Sequence, residues 1–236
     1  MRVFRPRPRT ATPRRALART GAVAAAAALL LSGCGSTAPG VAAQVDGQRI
    51  TDEQVDDFAE VLCALGGLPG TASGTPTTEA RYNALSILLV TELARQVGDV
   101  GSVDSEDLAA AKQQMTAGRD QVPEDARDTF DEVAGEYLES QFALIELGRD
   151  SLEEQGRSAE EITDDQAFQE GERLLQEHAA EIDIEVDPRY GRLQDGALVP
   201  DDGSLSVPVS EFARSAAEAQ PTEELVSQLP SSQKCG

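Results

Sequence analysis

The chain has 236 residues, of which 20 are basic and 42 acidic, and its formal net charge is −22. A chain this acidic repels phosphate backbones and anionic lipid headgroups, which excludes nucleic-acid binding. Any attachment to a membrane must therefore come from something other than the protein surface.

Residues 1–33 have the composition of an export leader. They contain seven arginines and no acidic residue, and the apolar run "GAVAAAAALLLS" is too short to span a bilayer. The alternative is a buried apolar helix. Without this leader, 203 residues remain, and their 13 basic and 42 acidic side chains give a net charge of −29.

The leader ends in Leu31-Ser32-Gly33-Cys34, which resembles the lipobox of bacterial lipoproteins. The resemblance implies cleavage before Cys34, acylation of its thiol with palmitate, and a place on the extracytoplasmic face of the cell membrane. "TPRRALA" resembles a twin-arginine export signal but lacks the usual phenylalanine, which favours the Sec route. Residues 34–40 then form a tether that reaches at most about 20 Å.

Two cysteines remain once Cys34 carries lipid. In an oxidising exterior we predict a disulfide between Cys63 and Cys235. On the loop-entropy model such a long closed loop contributes on the order of 5 kcal/mol. The alternative is two unrelated thiols, one buried and one in a frayed tail.

The folded part begins with "VAAQVDGQRITDEQVDDF" at Val41. This segment predicts two short strands joined by a turn at Asp46-Gly47, followed by a helix. Thr51, with Gln54 three residues later, has the capping-box pattern. The apolar residues that follow recur at helical spacing up to Gly66-Gly67: Val55, Phe58, Leu62 and Leu65.

Four more helices are predicted before residue 181. The second, from Thr78 to Val97, is the most apolar and is the predicted core; its main stripe is Tyr82, Leu85, Leu88, Leu89 and Leu93. The third is capped by Asp104 or Ser105. Pro123 suits the first turn of the fourth, which extends to about residue 155 with a candidate break near Gly135. The fifth runs from Asp164 to about Ala180.

The pattern changes at Ile182–Val186, where apolar and acidic residues alternate as in a half-buried strand. A hairpin alone is marginal in water, so strand 41–45 is predicted to pair with 182–186. Residues 187–206 are turn-rich and extended, and short helices are predicted near 211–219 and after Pro221. The fold class is mainly α (α+β): one domain, 41–236, with five to seven helices, a small sheet from its N- and C-terminal strands, and an extended C-terminal tail.

This layout resembles the N-terminal chaperone domain of the SurA, PrsA and trigger-factor foldases. The resemblance rests on "AAQVDGQRITDEQVDDF", on "RYNALSILLVTELARQVG" followed by "VDSEDLAAAK", and on "IEVDPRYGRL". Such foldases often insert a parvulin prolyl-isomerase domain before the closing strand. Residues 113–181 have a helical pattern throughout, so the resemblance implies a chaperone module without isomerase activity.

No catalytic or metal-binding arrangement is predicted. His178 is the only histidine and is expected on the solvated face of a helix, which leaves no base for a Ser-His-Asp or Cys-His site. Asp201-Asp202-Gly203 lacks the spacing of an EF-hand loop and is interpreted as a turn. We therefore expect no cofactor, no metal and no enzymatic activity.

Five aromatic residues are candidates for a groove that binds unfolded polypeptide: Tyr82, Phe130, Tyr137, Phe142 and Tyr190. Core packing is the favoured interpretation for the first four. Tyr190 follows Pro188 in a loop, and we expect an exposed ring that could bind clients. The expected function is that of a chaperone for unfolded or newly exported polypeptides; the alternative is a non-catalytic envelope adaptor with one specific protein partner.

Overall fold

The computed structural model describes residues 38–65, 75–98, 105–200 and 223–235. Several predictions lie outside these ranges: the leader 1–33, Cys34 and the tether up to residue 37, the stop at Gly66-Gly67, the Asp104 cap, the turn at 201–203 and the helix near 211–219.

The described residues form six α-helices and five short strands. The strands are β1 (Val41–Val45), β2 (Gln48–Thr51), β3 (Ile184–Val186), β4 (Arg192–Gln194) and β5 (Ala197–Val199). The helices are α1 (Asp52–Ala64), α2 (Thr77–Val97), α3 (Glu106–Thr116), α4 (Arg127–Glu154), α5 (Asp164–Glu181) and α6 (Glu223–Gln228). The prediction of a mainly helical fold with five to seven helices and a small sheet is confirmed.

One sheet joins the two ends of the helical block. Its strand order is β2-β1-β3, and β1 is antiparallel to both neighbours. Val45 lies opposite Gln48 on one side and opposite Ile184 on the other. The predicted pairing of 41–45 with 182–186 is confirmed. Asp46 and Gly47 both have positive φ (44° and 85°), as a two-residue hairpin turn requires.

The predicted helix caps are formed where the sequence places them. Thr51 Oγ1 accepts a hydrogen bond from the Gln54 backbone N–H, and the Gln54 side chain accepts one from the Thr51 N–H. Ser105 caps α3 by accepting a hydrogen bond from the Leu108 N–H. These caps satisfy backbone donors that have no partner inside the helix.

Helix α2 is the centre of the hydrophobic core, as predicted. Leu85, Leu89 and Leu93 are at most 3% exposed, whereas Tyr82 and Leu88 are half-buried. A row of buried alanines (Ala80, Ala84 and Ala94) widens the contact face. Helix α2 packs against α1, α4, α5 and β1. The core therefore joins the N-terminal hairpin to the later helices.

Helices α4 and α5 form an antiparallel pair whose backbones meet at two glycines. A Cβ added at Gly148 would overlap the backbone oxygen of Ala167, and one at Gly171 would overlap that of Leu144. Only glycine lets the two backbones approach this closely. The helical pattern of α4 and α5 gives no indication of this contact.

Three local predictions are wrong. Pro123 does not lie in the first turn of α4: it precedes a separate 3₁₀ turn at Glu124–Ala126, and α4 begins at Arg127. It then continues through Gly135 without a break, since neighbouring residues keep the helix hydrogen bonds. His178 is half-buried rather than solvated, and its Nε2 is enclosed with no hydrogen-bond partner among the described residues.

A second hairpin lies in the region predicted to be extended. Strands β4 and β5 pair in register, with Leu193 opposite Leu198. Asp195 and Gly196 have positive φ (51° and 78°), so this turn has the same kind of backbone conformation as the turn at Asp46-Gly47. The Asp195-Gly196 dipeptide is the feature of the sequence from which this hairpin could have been predicted.

The C-terminal tail returns to the first helix. Cys63, in the last turn of α1, is bonded to Cys235, with the two Cα atoms 4.9 Å apart. The Cys235 N–H donates to the Thr75 carbonyl at 2.8 Å, and Lys234 forms a bridge with Pro76. The predicted disulfide is present in the structure, and the short helix expected after Pro221 corresponds to α6.

Candidate functional site

Tyr190 is buried, contrary to the expectation of an exposed loop aromatic. Only 7% of the surface of this residue is exposed. Its hydroxyl donates to Asp52 Oδ1 at 2.9 Å and accepts from the Arg81 guanidinium at 2.9 Å. The residue is held in place because the turn after β3 folds back onto the start of α1 and onto α2.

The groups around Tyr190 are paired with one another. Arg189 donates to both Asp52 and Asp187, and Arg81 forms an ion pair with Asp56 at 2.5 Å. The guanidinium carbons of Arg81 and Arg189 lie 5.3 and 5.8 Å from the centre of the Tyr190 ring, within the range of cation–π attraction. We name Tyr190, Asp52, Arg81 and Arg189 the tyrosine cluster.

The electrostatics of the tyrosine cluster favour a fixed charge state. Burial, together with the hydrogen bond to Asp52, raises the pKa of Tyr190 to about 12. The hydrogen bond from Arg189 lowers the pKa of Asp52 below its ordinary value. At neutral pH the phenol stays protonated and the carboxylate ionised, so the cluster has no proton ready for exchange.

A cleft of about 590 Å³ opens beside the tyrosine cluster. Arg81, Arg189 and Tyr190 line it together with three prolines, Pro76, Pro188 and Pro200. Both arginines in this wall are held by the carboxylates described above. The charges of both arginines are therefore satisfied within the protein.

A second and more apolar depression lies between α2, α4, α5 and the β4–β5 hairpin. It has a volume of about 360 Å³, and we name it the apolar groove. Its floor consists of residues that are at most 9% exposed: Leu89, Leu93, Leu144, Leu175 and Leu198. Its half-buried walls are formed mainly by Ile87, Val90, Tyr137 and Phe168.

The hairpin that completes the apolar groove is fixed to the helical block. The Tyr82 hydroxyl donates to the Leu198 carbonyl at 2.5 Å, and Gly196 lies against Gln176 and Ala179 of α5. Three helices and one hairpin therefore enclose the groove. Such a preformed apolar depression with a few polar groups is typical of a binding site.

Of the five aromatic candidates, one lines the apolar groove and the other four lie elsewhere. Tyr137 lines the groove, Phe130 is buried in the core, and Phe142 is half-buried. Tyr82 and Tyr190 line the neighbouring cleft. Phe168 and Leu175 were not candidates, although their spacing on α5 indicates an apolar stripe.

No group of three or more His, Cys, Asp and Glu side chains is arranged to hold a metal ion within the described ranges. None of the helices described is both long and apolar enough to cross a bilayer. Compared with models of protein families, with curated proteins and with solved structures, the chain matches none.

Proposed function

We propose that the protein is an extracytoplasmic lipoprotein, anchored to the cell membrane through Cys34, that acts as a chaperone- or foldase-like module for newly exported polypeptides. It has no prolyl-isomerase activity and carries out no reaction. The apolar groove is the observation that carries this proposal. Its walls are accessible and apolar, as the capture of an unfolded segment requires.

The way the groove is built supports a holding function. Buried leucines form its floor and offer an entering side chain an apolar surface. The half-buried walls at Ile87 and Tyr137 lose further exposed area on binding, which is the main source of affinity for an apolar segment. The groove is already formed without a bound segment, which lowers the ordering cost of binding.

The order of the elements also supports the proposal. Strands β1 and β2 precede the helical block and β3 follows it, and the three form one sheet. The resemblance to the SurA, PrsA and trigger-factor foldases implies such a closure around a helical chaperone module. The tether after Cys34 would keep this module near the membrane, where exported chains emerge.

A second candidate function is a non-catalytic adaptor that binds one specific protein partner. The size of the groove favours it: about 360 Å³ accommodates a short segment and not a long stretch of unfolded chain. The adaptor and the chaperone would use the same groove and differ in the range of partners.

Client range separates the two functions, and a matched pair of variants tests whether the groove is the binding site. Tyr137 lines the groove, whereas its neighbour Leu138 is also half-buried and lies outside the lining. The wild-type protein should suppress aggregation of several unrelated unfolded proteins at near-stoichiometric ratio. Tyr137→Gln should lose most of this effect, and Leu138→Gln should retain it.

Crosslinking in cells, followed by identification of the crosslinked proteins, completes the test. Many unrelated clients are expected for a chaperone. A single dominant partner, without suppression of aggregation, would replace the chaperone proposal with the adaptor. A robust prolyl-isomerase rate in the purified protein would contradict both.

A further inference from the structure

We infer that the apolar groove selects segments in which a lysine or arginine lies beside the apolar side chain that enters it. The inference rests on the proposed function, because it specifies which polypeptides the same groove prefers. It depends on one charged side chain in the lining, on the charges next to the groove and on the net charge of the chain.

Glu172 is the only charged residue among the described residues that line the groove. It lies on α5 between Phe168 and Leu175, is exposed, and has no ion-pair partner among the described residues. Its carboxylate can therefore accept a cation without losing an existing contact. A cation next to an apolar anchor would reach Glu172 while the anchor occupies the floor.

Two arginines that are close in sequence to lining residues, Arg173 and Arg95, are already paired with carboxylates. Arg173 lies between Glu170 and Glu177, with which it forms ion pairs. Arg95 is 3.9 Å from both Glu92 and Glu136. Each arginine next to the lining residues is thus outnumbered by its own carboxylates, and the surroundings of the groove are negative.

The charge of the whole chain acts in the same direction. The formal net charge is −22, so an acidic segment is repelled before it reaches the groove. A basic segment is attracted, and its cation is then held at Glu172. Charge complementarity of this kind contributes more to selection among partners than to total affinity.

The carboxamides of Gln141 and Gln176 add a polar edge to the groove. Both line it, and neither has a hydrogen-bond partner among the described side chains and backbone groups. They can bond to the backbone of a bound segment, which is independent of its sequence. Selection would therefore come from the apolar floor and from Glu172.

The absence of tryptophan from the chain allows a label-free test. Three 12-residue peptides share one Trp-Leu-Ala-Leu core, flanked by lysines, by serines or by glutamates, and binding to the full-length protein is followed by peptide tryptophan fluorescence. The lysine peptide should bind about three- to fivefold more tightly than the serine peptide, which is the scale of an exposed ion pair. The glutamate peptide should bind most weakly, and added salt should reduce the differences.

Variants at Glu172 assign the preference to this residue. Glu172→Gln should reduce the lysine preference clearly more than Glu146→Gln does and leave the serine peptide unchanged, and Glu172→Lys should weaken binding of the lysine peptide further. Glu146→Gln is the matched control, because Glu146 is exposed on α4 outside the lining and its loss changes the net charge equally. Far-UV circular dichroism and thermal midpoints show that each variant is folded.

The outcomes separate the inference from the proposed function. Equal binding of the three peptides to the wild type, still lost in Tyr137→Gln, would overturn the cation preference and leave the groove as a peptide site. A full lysine preference in Glu172→Gln would also overturn the inference. If no peptide binds the wild type, the groove is not a peptide site, and both the inference and the proposed function fail.

Discussion

The hydroxyl of Tyr190 donates a hydrogen bond to Asp52 at 2.9 Å across 138 positions of the sequence. Asp52 is the first residue of α1, and Tyr190 lies in the turn that follows β3. The bond therefore joins the start of the first helix to the chain that leaves the closing strand. Arg189 strengthens the same connection through its own bonds to Asp52.

Tyr190→Phe should lower the free energy of unfolding by about 1–2 kcal/mol, because it leaves the partly buried Asp52 and Arg81 with one fewer partner. Urea denaturation followed by circular dichroism measures this change. Tyr137→Phe is the control, since no hydrogen bond of the Tyr137 hydroxyl occurs within the described residues. Equal loss of stability in both variants would contradict a specific role for the tyrosine cluster.

Gly171→Ala should destabilise the protein by about 3 kcal/mol, because the added Cβ meets the backbone of α4 and cannot be accommodated by a side-chain movement. Gly148→Ala should behave similarly. Gly135→Ala is the matched control on α4: its Cβ would meet nothing within 4 Å, and alanine should stabilise the helix by about 0.5–1 kcal/mol. Thermal melting of the three variants checks the order, and a stabilised Gly171→Ala would refute the close contact.

Removal of the Cys63–Cys235 bond should cost about 2–5 kcal/mol, since it constrains two residues that are 172 positions apart. The thermal midpoint of the wild type should fall on addition of reductant. The double variant Cys63→Ala/Cys235→Ala should melt near the reduced wild type and be insensitive to reductant. Peptide mapping that recovers both cysteines as free thiols from freshly exported protein would contradict the bond.

Glu170 should contribute stability that is lost in acid. Hydrogen bonds from Arg173, and then from Ser151, lower its pKa from 4.5 to about 2. Because the pKa of the folded state is below its ordinary value, the contribution is present above about pH 5 and disappears as the pH falls towards 2. Glu170→Gln should therefore have a lower urea midpoint than the wild type at pH 6, and the two midpoints should converge near pH 2. Glu132→Gln, an exposed change of equal charge on α4, controls for net charge.

Cys34→Ala should prevent processing and lipid labelling of the chain. The expectation follows from the resemblance of Leu31–Cys34 to a lipobox, and these residues lie outside the described ranges. The wild type should partition into the detergent phase of a phase-separated extract, and the variant should not acquire a lipid. Identical partitioning and labelling of the two proteins would exclude the lipid anchor.

Elements with local causes could be predicted from the sequence alone. Thr51 with Gln54 predicts the start of α1, and Asp46-Gly47 predicts the first hairpin, since a cap or a two-residue turn depends on neighbouring residues. The stripe containing Leu85, Leu89 and Leu93 predicts the core helix because burial follows the helical period. The pairing of β1 with β3 also followed, because a lone hairpin needs a third strand and the alternating segment 182–186 was the best candidate for it.

Features that depend on residues far apart in the chain could not be predicted from the sequence pattern. The burial of Tyr190 could not be predicted, because a loop aromatic is buried only when Asp52 and Arg81 lie within reach. The apolar groove requires Tyr137, Phe168 and Leu198 to meet, and their periodicity is the same for a buried and an exposed stripe. The contact at Gly148 and Gly171 likewise depends on how closely two helix backbones approach each other. In all three cases the cause is the same. Burial and the shape of a groove depend on which residues are close in space, whereas the sequence pattern shows only where a residue lies along its own helix or strand.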